Sequence, residues 1–227
     1  MVNIPDDNFL NALIELGVDT NGDGLISPEE AEVIISLHVD HDSISDLTGI
    51  EKFIHLDTLI CSYNQISSLN LSEIISLKVL VCSENQLKRL DISHNPNLTV
   101  LNCCNNQLTK LDVSYNGDLE ILYCAENQLT SLDLSQNLKL IDLYCYHNQL
   151  SHLDVSRNSN LVYLNCLENQ LTSLDVTHLA NLDRLECSDN QLTNLNISQY
   201  SNMTYLGCGF NQLFSLDVSN NLALSSL

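Results

Sequence analysis

Residues 19–30, DTNGDGLISPEE, place oxygen-bearing groups at intervals that suit a bound metal ion. Carboxylate or amide side chains stand at places one, three and five of this stretch, and a carboxylate ends it at place twelve. Place six is glycine, where a loop that wraps around an ion must turn sharply, and Ca²⁺ takes oxygen ligands from loops of this length. The predicted calcium ligands are Asp19, Asn21, Asp23, the carbonyl of Leu25, Ser27 and Glu30.

The residues on either side of the loop predict two short helices. Residues 6–16 carry apolar side chains at helical spacing, and Ser27 with Pro28 suits the N-cap and first turn of a second helix. The loop with these flanks resembles an EF-hand. A calcium sensor usually pairs such loops, and a dockerin needs two duplicated ones, whereas only one is found here. We therefore expect a structural ion, with a regulatory ion and an empty loop as the alternatives.

Most of the chain after this segment repeats with a period of 21 residues, in the unit LxxLxCxxNQLTxLDVSxNxx. Eight of the nine cysteines follow the period, at positions 61, 82, 103, 124, 145, 166, 187 and 208. We call these eight the lattice cysteines. The ninth, Cys104, directly follows the lattice cysteine Cys103. Apolar residues alternate with polar ones in both halves of the unit, which indicates strands. One unit cannot bury enough apolar surface to offset its chain entropy, so the units are expected to stack as one solenoid.

The unit resembles that of leucine-rich repeat proteins, and the resemblance covers roughly residues 34–227. Its nested halves resemble the 21-residue bacterial class called IRREKO, common in Bacteroidetes. An irregular first turn from Ile34 to His55 resembles an internalin-type unit, and the segment before it resembles the N-terminal caps of bacterial leucine-rich repeat proteins.

The resemblance implies a mainly β fold: a solenoid of parallel strands, with short or absent helices in the repeats, behind a small α-helical cap. We assign the cap with its EF-hand-like loop to residues 1–36 and the solenoid to residues 37–227. The last unit starts at Leu224 and no polar cap follows it, so we expect the solenoid to be truncated at its C-terminal end.

The repeated polar and thiol positions are expected to be structural. The lattice cysteines occupy a core position and are predicted to be buried free thiols, since parallel thiols in register pair poorly and cannot surround a zinc ion. Cys104 is expected to point outward and is a candidate reactive thiol. Asn106 and its equivalents are expected to satisfy backbone groups of their own and the next unit. The aspartate of each LDVS, such as Asp112, is interpreted as part of the repeat.

The variable positions of the first strand define the face on which we predict partner binding. Places three, five, seven and eight of LxxLxCxx should face outward, on the concave side of the solenoid. Tyrosines concentrate there in consecutive units, and tyrosine is enriched at binding hot spots, although it also simply tolerates exposed strand positions. The predicted partner-binding residues are Tyr123, Asp142, Tyr144, Tyr146, His147, Tyr163, Arg184, Glu186 and Tyr205.

Composition narrows the function classes. The chain has 8 Lys and Arg against 29 Asp and Glu, a formal net charge of −21, which disfavours nucleic acid as a partner. No apolar run is long enough to span a membrane, no signal peptide is visible and no catalytic constellation emerges. We expect a monomeric, non-enzymatic module of a bacterial protein, extracellular or on the cell surface, that recognises a protein. A glycan-binding module, the non-catalytic part of a larger secreted enzyme and a surface spacer are the alternatives.

Overall fold

A small helical cap leads into a parallel β solenoid. The computed structural model describes residues 1–225, so Ser226 and Leu227, where the predicted truncation falls, lie outside the described residues. Helix α1 spans Asp7–Glu15 and helix α2 spans Pro28–Glu32. Within residues 1–225, no helix is long and apolar enough to cross a membrane.

Within the described residues, nine strands form one parallel sheet in chain order. They are β1 (Ser36–His38), β2 (Thr58–Ile60), β3 (Val79–Val81), β4 (Val100–Asn102), β5 (Ile121–Tyr123), β6 (Asp142–Tyr144), β7 (Tyr163–Asn165), β8 (Arg184–Glu186) and β9 (Tyr205–Gly207). A single 3-10 turn, Ile50–Lys52, lies between β1 and β2. From β2 onward each residue pairs with the residue one period later, as Leu101 does with Leu122. The fold class predicted from the repeat is therefore confirmed.

The core is a continuous column of leucines and cysteines that runs through every unit into the cap. Leu122 and Cys124 are both fully buried, and the same apolar cluster includes Phe9 of helix α1. All nine cysteines are free thiols. The prediction that all eight lattice cysteines are buried is wrong for Cys208, which is partly exposed. It follows β9, which within residues 1–225 pairs with β8 alone.

The chain bends sharply after each strand through a residue with left-handed backbone. The φ angle is 53° at Glu126 and 50° at both His147 and Glu168. Such a conformation costs a non-glycine residue about 1–2 kcal/mol, so the surrounding contacts must hold it. Place eight was predicted to extend the outward-facing strand, whereas it forms the corner that follows the strand. The eight residues of this corner column are Tyr63, Glu84, Asn105, Glu126, His147, Glu168, Asp189 and Phe210.

The asparagine that follows the corner ties neighbouring units together. Asn106 donates from Nδ2 to the carbonyl oxygens of Cys82 and Cys103, at 3.0 and 3.2 Å, and its Oδ1 accepts from the backbone N–H of Leu87 at 2.9 Å. These partners belong to its own unit and the preceding unit, so the predicted contact with the next unit is wrong for the side chain. The backbone N–H of Asn106 already binds the carbonyl of Glu126 in that next unit.

A second asparagine column, which the sequence analysis did not single out, lies in the other half of the unit. Asn137 is fully buried and donates from Nδ2 to the carbonyl oxygen of Val113 at 2.9 Å. Where Leu179 replaces the asparagine, the ring of His178 contacts the corresponding carbonyl, that of Val155, at 2.9 Å. The chain thus preserves this contact with a different side chain.

The LDVS aspartates close small turns on the outside of the solenoid. Oδ1 of Asp112 accepts from the backbone N–H and the hydroxyl of Ser114, at 3.0 and 2.6 Å. The hydroxyl bond, followed by the backbone bond, lowers the pKa of Asp112 below its usual value. The interpretation of these residues as part of the repeat agrees with this local role.

Candidate functional site

The outward-facing side chains of the strands, together with the corner column, form one continuous surface, which we call the sheet face. Each strand carries two outward positions, places three and five, on either side of a buried leucine, and place seven follows the strand. The parallel register sets Tyr123 opposite Tyr144 and Asp142 opposite Tyr163. Because neighbouring strands lie about 4.8 Å apart, side chains from successive units touch. All nine predicted partner-binding residues lie on this face.

Two tyrosines form an aromatic stack at the middle of the sheet face. The rings of Tyr123 and Tyr144 have centroids 4.5 Å apart and planes inclined at 22°. Asp142 lies beside them, and burial raises the pKa of its carboxyl above the usual value. Among the described residues, the buried Oδ1 of Asp142 has no hydrogen-bond partner.

A second group lies next to this stack, toward the corner column. The ring of Tyr146 meets that of His147 edge to face, with centroids 5.5 Å apart. Burial, together with the negative charge of the neighbouring Glu126 carboxylate, raises the pKa of Tyr146. Nδ1 of His147 lies 2.7 Å from Oε2 of Glu168. The group therefore alternates aromatic rings with carboxylates.

A third group lines a shallow depression of about 230 Å³ between strands β6 and β9. The guanidinium carbon of Arg184 lies 5.4 Å from the ring centroid of Tyr163, within range of a cation–π contact. The hydroxyl of Tyr205 donates to Oε2 of Glu186 at 2.6 Å, and Oε1 of Glu186 accepts from the backbone of Ser188.

Glycine at position 207 makes room for this carboxylate. A Cβ atom added to Gly207 would overlap the carboxylate of Glu186, so the absence of a side chain lets Glu186 lie flat against β9. Glu186 and Tyr205 were both predicted from the sequence to bind the partner, but the hydrogen bond between them was not predicted. The available signal was a tyrosine and an acidic residue at neighbouring outward places in adjacent units.

The off-lattice cysteine is less reactive than expected. Cys104 is partly buried on the sheet face, and burial raises the pKa of its thiol to about 11. At neutral pH the thiol is therefore protonated, and a protonated thiol is a poor nucleophile. This disfavours the reactive role considered for Cys104.

The loop of residues 19–30 is closed by its own acidic side chains. Oδ2 of Asp19 accepts from the backbone N–H of Gly24 at 2.8 Å. Oε1 of Glu30 accepts from the backbone and hydroxyl of Thr20, at 2.8 and 2.7 Å, and Oε2 accepts from the backbone of Ser27 at 2.9 Å. These bonds, that from the Ser27 backbone above all, lower the pKa of Glu30 to about 2. Glu30 thus also caps helix α2, a role that the sequence analysis missed.

The donor set of this loop suits calcium in its chemistry. Its side chains and the carbonyl of Leu25 offer hard oxygen atoms only, which Ca²⁺ prefers. Across residues 1–225, however, no three His, Cys, Asp or Glu side chains are grouped closely enough to hold a metal ion. The carboxylates of Asp19 and Glu30 instead accept hydrogen bonds within the loop. Calcium binding by the cap therefore stays a prediction.

Comparison with known proteins gives the repeat its class. A family model described as leucine-rich repeats (2 copies) matches residues 75–116. Internalin J of Listeria monocytogenes serotype 4b (strain F2365) is 41% identical over 69 residues, which make up 30% of this chain and 7% of that protein. The chain therefore carries leucine-rich repeats. The matched relative is an internalin, and repeat folds of this kind present extended concave surfaces that are used for binding.

Solved structures of leucine-rich repeat proteins share this fold along most of the chain. The functional domain of InlJ from Listeria monocytogenes, described as including a cysteine ladder, is 32% identical with a TM-score of 0.56, over 98% of this chain and 64% of that one. A leucine-rich repeat protein of Leptospira interrogans is 25% identical with a TM-score of 0.72, over 89% and 62%. The chain therefore spans less than two thirds of either relative. Internalin InlF of Listeria monocytogenes, 22% identical with a TM-score of 0.77 over 99% and 75%, is similar in fold.

Proposed function

We propose that this leucine-rich repeat protein is a binding module whose protein partner docks on the sheet face, around the tyrosine cluster. We define the tyrosine cluster as Tyr123, Tyr144, Tyr146 and Tyr163. The observation that carries the proposal is the stack of Tyr123 on Tyr144, flanked by further rings from adjacent units. All four tyrosines are half-buried, so each ring is held in place while part of it remains open to a partner.

The rigid sheet beneath the cluster favours binding energetically. Tyrosine offers a large contact area and a polar tip at the cost of few rotatable bonds. Rings already stacked by a hydrogen-bonded sheet lose little further freedom when a partner arrives, and that ordering cost is one of the main penalties of association. The solenoid geometry extends this surface over several units, which suits a protein partner better than a small molecule.

The proposal places this activity outside a bacterial cell, in a monomeric protein of the 21-residue repeat class predicted above, with Bacteroidetes as the predicted source. It also gives the cap a structural calcium ion, held by the oxygen atoms of Asp19, Asn21, Asp23, Leu25, Ser27 and Glu30. When bound, the ion would join the loop to the first turn of helix α2. Binding of the partner is proposed to be independent of this ion.

The test compares two sets of tyrosine substitutions in the whole chain. Candidate partners are collected from surface proteins of neighbouring bacteria and host cells, and the affinity of each purified partner is then measured by surface plasmon resonance. We expect Tyr→Ser substitution of the whole tyrosine cluster to abolish binding. Tyr115→Ser is the matched control, because Tyr115 is 60% exposed and lies outside the sheet face.

Circular dichroism melting curves check that both variants remain folded. Normal partner binding by the cluster variant would place the site elsewhere on the molecule. Binding of a glycan array that requires the same four tyrosines, with no protein captured, would assign the surface to the glycan alternative instead.

A further inference from the structure

We infer that the sheet face recognises basic side chains, those of lysine or arginine, presented by the partner. This inference rests on the proposed function and adds the chemistry of the partner to it. Four observations support it: the charge of the face, the state of its carboxylates, an arginine that already lies on one of its tyrosines and an unsatisfied acceptor beside the aromatic stack.

The sheet face carries a large excess of acidic over basic residues. Over the eight units that begin with β2 to β9, its outward places hold a single basic residue other than histidine, Arg184. They hold six acidic residues, which are Glu84, Glu126, Asp142, Glu168, Glu186 and Asp189. Such a surface attracts a basic partner and repels an acidic one, which affects both the rate and the specificity of association.

The carboxylates nearest the tyrosines lie beside tyrosine hydroxyl groups. Tyr205 donates to Oε2 of Glu186 at 2.6 Å, while the hydroxyls of Tyr123 and Tyr146 lie near the carboxylates of Asp142 and Glu126. In the part of the chain that the structure describes, none of these three carboxylates forms an ion pair. Within the described residues, no cation of the chain therefore neutralises these three charges, as expected of a surface prepared for an incoming cation.

Arg184 shows within this chain how a cation is accommodated on the face. Its guanidinium lies over the ring of Tyr163, and its Nε is 3.8 Å from Asp183. One cation thus shares an aromatic face and a carboxylate. The stack of Tyr123 and Tyr144 beside Asp142 provides the same two elements, and in the described residues no lysine or arginine ion pair involves Asp142.

An unsatisfied acceptor lies next to that stack. Oδ1 of Asp142 is buried and lacks a hydrogen-bond partner among residues 1–225. A buried acceptor without a donor costs free energy, so a donor brought by the partner gains more there than at a solvated carboxylate. Guanidinium and ammonium groups bring N–H donors together with positive charge, and both also bind aromatic faces.

The probe is an arginine hexapeptide, with a citrulline hexapeptide of the same length as its uncharged counterpart. Affinity for each is measured by isothermal titration calorimetry on the whole chain, at roughly physiological salt so that distant charges are screened. The test variant removes three carboxylates from the sheet face, in Glu126→Gln, Asp142→Asn and Glu186→Gln together. The control variant combines Asp112→Asn, Asp133→Asn and Asp154→Asn.

The control removes the same amount of charge from a different surface. Asparagine keeps the Oδ1 acceptor at these turns, and the chain itself uses asparagine there, since Oδ1 of Asn70 and Asn196 accepts from the backbone of Ser72 and Ser198. The control therefore changes net charge as the test variant does, while the turns keep their hydrogen bonds.

We expect the wild type to bind the arginine peptide and not the citrulline peptide. The sheet-face variant should weaken this binding on the order of tenfold or more, and the control by less than about twofold. Equal weakening in both variants would mean attraction by net charge alone, and would overturn the inference. Failure of the wild type to prefer arginine over citrulline would also overturn it.

A captured protein partner separates this inference from the proposed function. If partner binding is lost in the tyrosine-cluster variant but unchanged in the sheet-face carboxylate variant, the proposed function stands and the basic-side-chain inference fails. The opposite result is binding of the arginine peptide that requires the sheet-face carboxylates, together with normal binding of a verified protein partner by the tyrosine-cluster variant. In that case the inference stands and the proposed function fails.

Discussion

The side-chain amide of Asn106 donates to the carbonyl oxygen of Cys82 at 3.0 Å and so joins two successive units of the solenoid. The same contact recurs one period on, where Asn127 donates to the carbonyl of Cys103 at 3.0 Å. Each asparagine therefore satisfies backbone groups that the corner of the chain would otherwise bury without partners. Asparagine therefore recurs at this place of the unit because the backbone groups at the corner need both the donor and the acceptor of a side-chain amide.

Replacing one such asparagine should destabilise the whole solenoid. In Asn106→Ala, the buried N–H of Leu87 loses its partner and the carbonyl of Cys82 loses one of its two amide donors, at a cost of roughly 2–5 kcal/mol in the free energy of unfolding. Urea denaturation followed by circular dichroism measures this change. Asn194→Ala is the control, because Asn194 is exposed and should cost close to nothing. Equal stability of the two variants would show that water replaces the amide at the corner.

The cysteines should resist modification in the native state. The pKa of the fully buried Cys124 is raised well above its usual value by burial, that of Cys104 is raised to about 11, and that of Cys208 is also raised. Because the thiolate is the reactive form, iodoacetamide should label only Cys104 and Cys208, slowly at neutral pH and faster as the pH approaches the raised pKa. Peptide mass mapping after labelling at several pH values measures this.

A double variant gives the control for the labelling experiment. Cys104→Ser with Cys208→Ser should leave the native protein unlabelled, while unfolding in urea should expose the remaining seven thiols. Rapid labelling of any of these seven in the native protein would mean that the core opens on the time scale of the reaction.

The sequence predicts the fold well because the period constrains every unit in the same way. The cysteine lattice gives the strand register, and Ser27 with Pro28 gives the start of helix α2, as found. The backward direction of the Asn106 amide and the left-handed φ of Glu126 were missed. Both depend on how two stacked units compete for the same backbone groups, and residue type along one chain segment does not encode that competition.

The site was predicted less completely than the fold. The 21-residue period alone predicts that Tyr123 and Tyr144 lie on one face, and the structure brings their rings into contact. The hydrogen bond from Tyr205 to Glu186 depends instead on the rotamers of two side chains in adjacent units. Gly207 permits that bond by lacking a side chain, and an absent side chain gives little signal in a variable column.

The LDVS aspartates should make the fold sensitive to acid. The pKa of Asp112 is lowered from 3.8, first by the hydroxyl of Ser114, and the pKa values of Asp133 and Asp154 are lowered by the equivalent serines. A lowered folded-state pKa contributes stability that is complete above about pH 3.8 and is lost as the pH falls through the folded-state values. Replacing Asp112, Asp133 and Asp154 together by asparagine removes this titration.

The unfolding free energy of wild type minus that of this triple variant should therefore shrink as the pH falls below about 4. Urea titrations at a series of pH values measure the difference directly. Ser114→Ala keeps the charge but removes the hydroxyl donor, so the folded-state pKa of Asp112 moves back toward 3.8 and the acid-induced loss of stability at that turn becomes smaller. A difference that stays constant with pH would show that the aspartates ionise alike in the folded and unfolded chains.

The cap gives the last prediction, a modest stabilisation by calcium. A ligand that binds only the folded chain adds RT ln(1 + [L]/Kd), so about 1 mM calcium at a Kd of about 10⁻⁴ M raises the unfolding free energy by about 1.4 kcal/mol. Melting curves with calcium and with a chelator measure the effect. Glu30→Gln should abolish the calcium-dependent increment, whereas Glu29→Gln, at an exposed neighbour, should preserve it.

The increment, and not the melting temperature itself, is the informative quantity here. Glu30 also binds Thr20 and caps helix α2, so Glu30→Gln lowers stability even when no calcium is present. A structural ion should leave the affinity of the sheet face for its partner unchanged, because the loop of residues 19–30 precedes the first strand and contributes no residue to that face. A melting temperature that does not change with calcium would mean that the hydrogen bonds of Asp19 and Glu30 already close the loop without an ion. Partner affinity that rises and falls with calcium would instead make the cap a regulator.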